Sequence, residues 1–269
     1  MQNNIMSTSF EKLSNCRLFL LDMDGTLYLG DNVYEGAVDF VDKISARGSR
    51  YIYLTNNSSR AGIDYVNRLR RLGFPCEMEN LFTSSMATVR YLNEHHKGEK
   101  VYPVCTRAFM DEMQRGGVEF SDTEASVVVV GFDTELTYEK LDKAVHFLRR
   151  GAAFIAANPD WVCPMPNDEV LPDCGSICAL LTASSGREPF YIGKPNRSMV
   201  DIISAMTGIP NSEICCVGDR IYTDIAVGVN AGAVTALVMS GETTQAVLDE
   251  SETKPDYVFR DVAEMAQYL

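Results

Sequence analysis

The sequence has no surplus of basic residues and no long apolar run, and each shortage excludes a class of protein. Lysine and arginine together number 24 against 37 aspartates and glutamates, which gives a formal net charge of −13. A basic footprint for nucleic acid or anionic lipid is therefore missing. No apolar run approaches the ~18 residues that a membrane span needs, and no signal-peptide pattern is present. We expect a cytoplasmic protein whose partners include neither a nucleic acid polymer nor a membrane.

The sequence also lacks the cysteine and glycine patterns of two further classes. Its eight cysteines form no Cys-x-x-Cys pair, and Cys215 and Cys216 lie in an apolar run, so we interpret them as reduced and buried. A dinucleotide cofactor would require a Gly-x-Gly-x-x-Gly turn after the first strand, and residues 22–27 contain only Gly25. A nucleotide-cofactor enzyme of the Rossmann type is thus excluded.

What is present is an alternation of short apolar runs with amphipathic segments. Runs of this kind predict strands at residues 18–21, 51–54, 214–217 and 234–238, with helices near 37–44, 63–72 and 221–231. Strand–helix alternation is typical of an α/β fold with a doubly wound parallel sheet. The hundred or so residues between the two halves repeat the alternation, and the pattern leaves open whether they extend the sheet or form an inserted domain.

Four apolar runs end in polar residues that suit phosphate chemistry: the predicted strands at 18–21, 51–54 and 214–217 and a short run at 191–192. The first strand runs into Asp22 and Asp24, the second into Thr55 and Asn56, and later strands into Lys194, Asp219 and Asp224. Ligands bind outside the carboxyl ends of the strands in sheets of this type. The side chains named here are therefore expected to meet at one edge of the sheet.

Each residue type has a physical reason to be there. Asp22 can attack phosphorus to form an aspartyl-phosphate, and Asp24 can protonate the leaving oxygen and later activate water. Asp22 and Asp219 are hard oxygen ligands for Mg²⁺, which clustered carboxylates need if a phosphate is to approach. Lys194 adds a point charge. We expect Thr55 and the backbone amide of Asn56 to hydrogen-bond the phosphate.

Four segments taken together resemble motifs one to four of the haloacid dehalogenase superfamily. They are Asp22-Met23-Asp24-Gly25-Thr26, Thr55-Asn56-Asn57-Ser58, Gly193-Lys194-Pro195 and the segment from Gly218 to Asp224. The form of the second motif and the wide gap to Lys194 resemble the NagD-like branch (subclass IIA), which includes phosphatases of the 4-nitrophenylphosphatase type. The resemblance covers nearly the whole chain.

The resemblance implies a Rossmann-like core formed by residues 1–85 and 187–269, with an α/β cap of the C2 type inserted at residues 86–186. It implies Mg²⁺ bound by Asp22, the backbone carbonyl of Asp24, and Asp219, with Asp224 as a further ligand or as an anchor for bound water. Asn158-Pro159-Asp160 is similar to a cap segment that faces the active site, so we expect Asn158 and Asp160 to bind substrate. Relatives often pair through the cap, which makes a homodimer an expectation.

The sequence thus predicts a magnesium-dependent phosphatase that hydrolyses small phosphomonoesters, such as sugar phosphates or nucleoside monophosphates. A phosphotransferase or mutase with the same aspartyl-phosphate chemistry is the first alternative, and comparing release of free phosphate with release of alcohol would separate the two. A catalytically inactive binding module is the second. It predicts the loss of Asp22, Asp24, Lys194 or Asp219, and all four are present.

Overall fold

The computed structural model of the chain describes residues 10–165 and 169–269. These residues divide into two compact units. The first consists of the described part of Met1–Thr55, with Val66–Phe82 and Lys194–Leu269, and the second consists of Asn56–Tyr65 and the described part of Thr83–Gly193. No helix among the described residues has the length and apolar character required to cross a membrane.

Strands and helices alternate along the chain. The strands are β1 Leu18–Leu21, β2 Tyr28–Leu29, β3 Asn32–Val33, β4 Arg50–Thr55, β5 Leu81–Thr83, β6 Val101–Val104, β7 Val127–Val130, β8 Ala153–Ala156, β9 Val162–Pro164, β10 Val170–Pro172, β11 Phe190–Tyr191, β12 Ile214–Gly218, β13 Val234–Val238 and β14 Tyr257–Phe259. The α-helices are α1 Glu11–Ser14, α2 Ala37–Ala46, α3 Gly62–Arg71, α4 Ser84–His95, α5 Arg107–Arg115, α6 Tyr138–Arg149, α7 Cys174–Ser185, α8 Ser198–Thr207, α9 Ala226–Ala231, α10 Gln245–Glu250 and α11 Val262–Met265.

A six-stranded sheet organises the described part of the first unit, in the order β14-β13-β12-β1-β4-β5. Strand β1 pairs in parallel with β12 on one side and with β4 on the other. All four residues of β1 are buried, as a strand covered by helices on both faces should be. The chain leaves β1 toward β4 and β5 and later returns on the opposite side, so the order of strands reverses at β1. The predicted doubly wound parallel sheet is confirmed.

A second parallel sheet, in the order β11-β8-β7-β6, organises the second unit. The four valines of β7 are all buried, and Val128 and Val130 pack in one apolar cluster with Phe147 and Leu148 of α6 and Leu181 of α7. A short antiparallel hairpin of β9 and β10 precedes α7. Strands β6, β7, β8 and β11 therefore form a sheet separate from the six-stranded one.

One predicted helix differs in its first turn. The segment predicted as a helix over residues 221–231 begins with a π-helical turn, Ile221–Ile225, and becomes α-helical only at Ala226–Ala231. Asp224 lies in the wide turn, and one oxygen of its carboxylate accepts a hydrogen bond from the backbone N–H of Arg220 at 3.0 Å. Turns of this kind are rare and occur frequently at functional sites.

Candidate active site

Strand β1 delivers Asp22 to the carboxyl edge of the first sheet. The backbone N–H of Asp22 continues the pairing with β12 by donating to the carbonyl of Val217 at 2.9 Å. Strand β4 lies on the other side in a register that sets Leu21 beside Tyr53, so Thr55 ends its strand at the same edge. Asp22 is therefore flanked by the ends of β4 and β12, at the reversal of strand order where sheets of this type bind their ligands.

Asp219 follows β12 and is fixed by two hydrogen bonds. One carboxylate oxygen accepts from the backbone N–H of Glu242 at 2.7 Å, and the other accepts from the hydroxyl of Thr26 at 3.1 Å. A Cβ at Gly25, which has φ +90°, would lie 2.5 Å from this carboxylate. Only glycine allows both the backbone angle and the close approach, so Gly25 makes room for Asp219.

Three carboxylates converge at this edge of the sheet. Asp22, Asp219 and Asp224 each place one oxygen within 4.8 Å of the oxygens of the other two. Carboxylate oxygens are the preferred ligands of hard divalent cations, and a bound cation would offset the repulsion between the three charges. The residues present therefore fit a divalent metal ion.

The electrostatics of the cluster support that fit. Burial and the charges of Asp224 and Asp219 raise the pKa of Asp22 well above its ordinary value, against the opposing effect of Lys194. Burial and the charge of Asp224 raise the pKa of Asp219 from the ordinary value of 3.8 to about 6. Both shifts indicate that the ionised carboxylates are unfavourably placed when no cation neutralises them.

The raised pKa of Asp219 predicts that Asp219→Asn stabilises the metal-free protein at neutral and higher pH. Because the folded pKa lies above the unfolded one, wild-type stability falls as pH rises from about 4 to about 6, by on the order of 3 kcal/mol for the shift of Asp219. A neutral asparagine avoids that loss, and its side chain still offers an acceptor to Glu242 and a donor to Thr26. Urea unfolding in the presence of a chelator, at several pH values, measures the difference.

We expect the stability difference between Asp219→Asn and wild type to be largest above pH ~6 and to disappear near pH ~4. Asp39→Asn, at an exposed position of the same unit, serves as the control and should show no such dependence. A variant Asp219→Asn that is less stable than wild type at pH 8 would mean that the carboxylate stabilises the fold even without metal.

Lys194 lies between two of the carboxylates. Its ammonium donates to Asp22 at 2.7 Å and to Asp224 at 2.5 Å, and only 3% of the residue is exposed. Burial disfavours the ammonium, but the charges of Asp22 and Asp224 outweigh this effect and raise the pKa of Lys194. The lysine therefore stays charged and orients the carboxylate of Asp22.

Asp24 lies two residues after Asp22 and is more accessible. Its side chain is 54% exposed and forms an ion pair with Arg68 at 3.8 Å. A carboxyl group that exchanges protons with a substrate and with water must be reachable, and Asp24 meets this requirement.

The remaining predicted residues occupy the second unit. The side-chain amide of Asn56 donates to Asp160 at 2.9 Å, and the buried amide of Asn158 donates to Asp160 at 2.8 Å and to Asp173 at 3.1 Å. Asp173 also accepts from the N–H of Cys174 at 2.5 Å and caps helix α7. Asp173 thus links the side chain of Asn158 to the first turn of helix α7.

Sequence reasoning missed three residues that contact the acidic cluster or Asp24. Arg220 pairs with Glu242 at 2.8 Å, and the backbone of Glu242 in turn fixes Asp219. Burial opposes its charge, yet the carboxylates of Glu242, Asp22 and Asp224 raise the pKa of Arg220. Arg220 lies inside the fourth motif, so a positive charge next to Asp219 could have been noticed in the sequence. Glu242 and Arg68 lie outside all four motifs.

Comparison with known proteins agrees with this geometry. The family model described as haloacid dehalogenase-like hydrolase matches residues 19–119, and a second HAD-hydrolase-like model matches residues 191–265. The 5'-nucleotidase YutF of Bacillus subtilis is 35% identical over 93% of this chain and 98% of that protein.

Solved structures give the same result. The 4-nitrophenylphosphatase of Thermotoga maritima is 40% identical, with a TM-score of 0.91 over 96% of this chain and 98% of that one. NagD from E. coli K-12 is 32% identical, with a TM-score of 0.86 over 93% of this chain and 98% of that one. This chain therefore belongs to the haloacid dehalogenase-like hydrolases and is a phosphomonoester hydrolase of their NagD-like branch.

Proposed function

We propose that the chain is a magnesium-dependent phosphatase that hydrolyses small phosphomonoesters through an aspartyl-phosphate on Asp22. The observation that carries the proposal is the carboxylate of Asp22, held at 2.7 Å by Lys194 in a cluster with Asp219 and Asp224. A carboxylate so oriented is ready to act as a nucleophile, and its neighbours are the groups that phosphoryl transfer requires.

In the first step, an oxygen of Asp22 attacks phosphorus and the bond from phosphorus to the ester oxygen breaks. Asp24 gives its proton to the departing oxygen, which leaves as an alcohol. Lys194 holds Asp22 from one side, and the hydroxyl of Thr26 lies 3.4 Å from the other oxygen of Asp22. These contacts restrict the carboxylate to few orientations, which lowers the entropic cost of attack.

In the second step, Asp24 takes a proton from a water molecule as that water attacks the phosphorus of the aspartyl-phosphate. Inorganic phosphate leaves, and the carboxylate of Asp22 and the acid form of Asp24 are restored. We propose that Thr55 and the backbone amide of Asn56 hydrogen-bond the phosphoryl oxygens in both steps, which spreads the charge of the transition state.

We propose that the metal is Mg²⁺, bound by Asp22, Asp219, Asp224 and the backbone carbonyl of Asp24. When bound, Mg²⁺ would supply positive charge for the phosphoryl oxygens and cancel the repulsion among the carboxylates. The proposal is supported by the all-oxygen donor set and by the raised pKa values of Asp22 and Asp219.

Removal of the metal is expected to abolish turnover and to lower thermal stability, and Mg²⁺ should restore both. At a hundredfold excess over its dissociation constant, a ligand of the folded state alone adds about 2.7 kcal/mol to the free energy of unfolding. The measurement is thermal unfolding and phosphate release after chelation, then with added Mg²⁺.

The variant Asp219→Asn provides the control for this experiment, because it removes one proposed ligand and should respond weakly to Mg²⁺ in unfolding as well as in turnover. An unfolding temperature of the wild type that does not change with Mg²⁺ would contradict the proposed site, even if activity were low for another reason.

We further propose that the second unit acts as the cap, predicted at residues 86–186, and that it limits access to small substrates. Asn158 and Asp160 would belong to its substrate-facing segment. Both side-chain hydrogens of Asn158 are already used, by Asp160 and Asp173, so Asn158 would orient Asp160 instead of binding substrate directly.

The substrate class follows from the relatives only in outline. Relatives with comparable sequence identity to this chain are named for different substrates: one is a 5'-nucleotidase (35% identical) and another a 4-nitrophenylphosphatase (40% identical). Nucleoside monophosphates and sugar phosphates are therefore the classes to test. Phosphate release from a panel of such esters, ranked by kcat/KM, would identify the preferred one.

A further inference from the structure

Two arginines of helix α3 contact the hairpin that follows Asp22 and Asp24 in the chain. Strands β2 and β3 form this hairpin, with Gly30 and Asp31 at its turn. Arg68 donates to the carbonyl of Gly30 at 2.7 Å, and Arg71 donates to the carboxylate of Asp31 at 3.2 Å. Residues three apart on a helix lie on the same face, so the two arginines hold the same turn.

The two arginines differ in burial and in reach. The side chain of Arg71 is 67% exposed, whereas that of Arg68 is 21% exposed. The guanidinium of Arg68 also lies over the ring of Tyr28, 4.9 Å from its centroid. A cation over an aromatic face and a hydrogen bond to a carbonyl both restrict the side chain, so Arg68 is a fixed group.

The fixed guanidinium of Arg68 faces Asp24. One of its terminal nitrogens lies 3.8 Å from a carboxylate oxygen of Asp24, whose backbone in turn pairs with Tyr28. An isolated pair between two mobile side chains contributes little, largely because ordering both costs entropy. Here the arginine is already ordered by other contacts, so the pair restricts mainly Asp24.

We propose that Arg68 is a positioning residue that holds the carboxyl group of Asp24 where it can protonate the leaving oxygen. The inference rests on the proposed function, in which the bond from phosphorus to the ester oxygen breaks as the proton of Asp24 moves to that oxygen. Proton transfer needs the donor within hydrogen-bond reach of the acceptor. Arg68 itself takes no part in bond making or breaking.

The test compares two esters of similar shape whose leaving groups differ. 4-Nitrophenyl phosphate releases a stabilised anion that needs no proton, whereas benzyl phosphate releases an alkoxide that does. A well-placed general acid contributes typically 10²–10⁴-fold. We expect Arg68→Gln to lower kcat/KM by roughly 10- to 100-fold for benzyl phosphate and by less than about threefold for 4-nitrophenyl phosphate.

Arg71→Gln is the matched control, since it loosens the same hairpin from the same helix through the pair with Asp31. It should slow neither ester by more than about twofold, as surface ion pairs are weak. Asp24→Asn is the reference, and it should show the same selectivity as Arg68→Gln in stronger form. Thermal unfolding of each variant checks the fold.

The outcomes separate the positioning role of Arg68 from the acid role of Asp24. If Asp24→Asn discriminates between the esters but Arg68→Gln slows both equally or not at all, the positioning role is overturned and the proposed function stands. If Asp24→Asn itself slows both esters equally, the acid role of Asp24 is wrong, and the role of Arg68 falls with it.

Discussion

Replacing Asp22 by asparagine is expected to lower kcat about 10⁴-fold or more, the scale on which removal of a nucleophile acts in other hydrolases. The amide nitrogen and oxygen of asparagine are poor nucleophiles, so no covalent intermediate can form. The fold should be retained, because asparagine has the same shape and its oxygen can still accept from the ammonium of Lys194. In the wild type that ammonium lies 2.7 Å from a carboxylate oxygen of Asp22. Initial rates with 4-nitrophenyl phosphate measure the loss.

The covalent intermediate can be sought directly. Acid quenching during turnover, followed by mass spectrometry of the peptide that contains Asp22, should detect a phosphoryl group on the wild type and none on Asp22→Asn. Asp39→Asn, at an exposed position, should match wild type in rate and in labelling. Asparagine can deamidate to aspartate, so Asp22→Ala is measured alongside. Hydrolysis within tenfold of wild type by both variants would rule out the covalent mechanism.

Replacing Lys194 by methionine is expected to destabilise the metal-free protein by about 3–5 kcal/mol, the cost of leaving a buried charge without its partner. Lys194 is almost fully buried and contacts both Asp22 and Asp224. Without the ammonium, the buried carboxylates of Asp22 and Asp224 repel each other with no positive charge between them. Turnover should also fall, by about 10²–10³-fold, since a positive charge at the reacting group is lost.

The loss of stability in Lys194→Met has a recognisable dependence on conditions. It should shrink as pH falls, because protonated carboxyl groups no longer repel, and Mg²⁺ should restore part of the stability without restoring turnover. Lys12→Met removes an exposed pair with Asp256 and should change little. Equal effects of the two lysine variants in urea unfolding would contradict the central role of Lys194.

The fold was largely predictable, because its signals are local. The run Leu18–Leu21 is buried over its whole length in the structure, and the amphipathic segment after it forms Ala37–Ala46. Apolar periodicity reports which face of an element is covered, and this information is carried within a few residues.

The surroundings of the candidate site were predictable only in part. Asp22, Asp219 and Asp224 follow β1 and β12, which are neighbours in one parallel sheet, so their proximity follows from that sheet. Lys194 instead follows β11 of the second sheet, so the expectation that all these residues follow strands of one sheet is wrong for Lys194. The catalytic roles of the four residues stay predictions. Arg68 and Glu242 carry no such signal. Each reaches the site from a helix or loop distant in sequence, through side-chain packing that periodicity does not encode. The π-helical turn at Ile221–Ile225 carries no sequence signal because five residues are too few to show a helical period.

The hydrogen bond between Asn56 and Asp160 has a consequence for engineering by recombination. The second unit is discontinuous in the chain, since Asn56–Tyr65 belongs to it together with Thr83–Gly193. In a chimera that exchanges only the longer segment with a relative, the 2.9 Å bond of the native Asn56 is kept only if that relative has a carboxylate at the position of Asp160. Crossover points should therefore transfer both segments from one parent, so that residues selected together are inherited together.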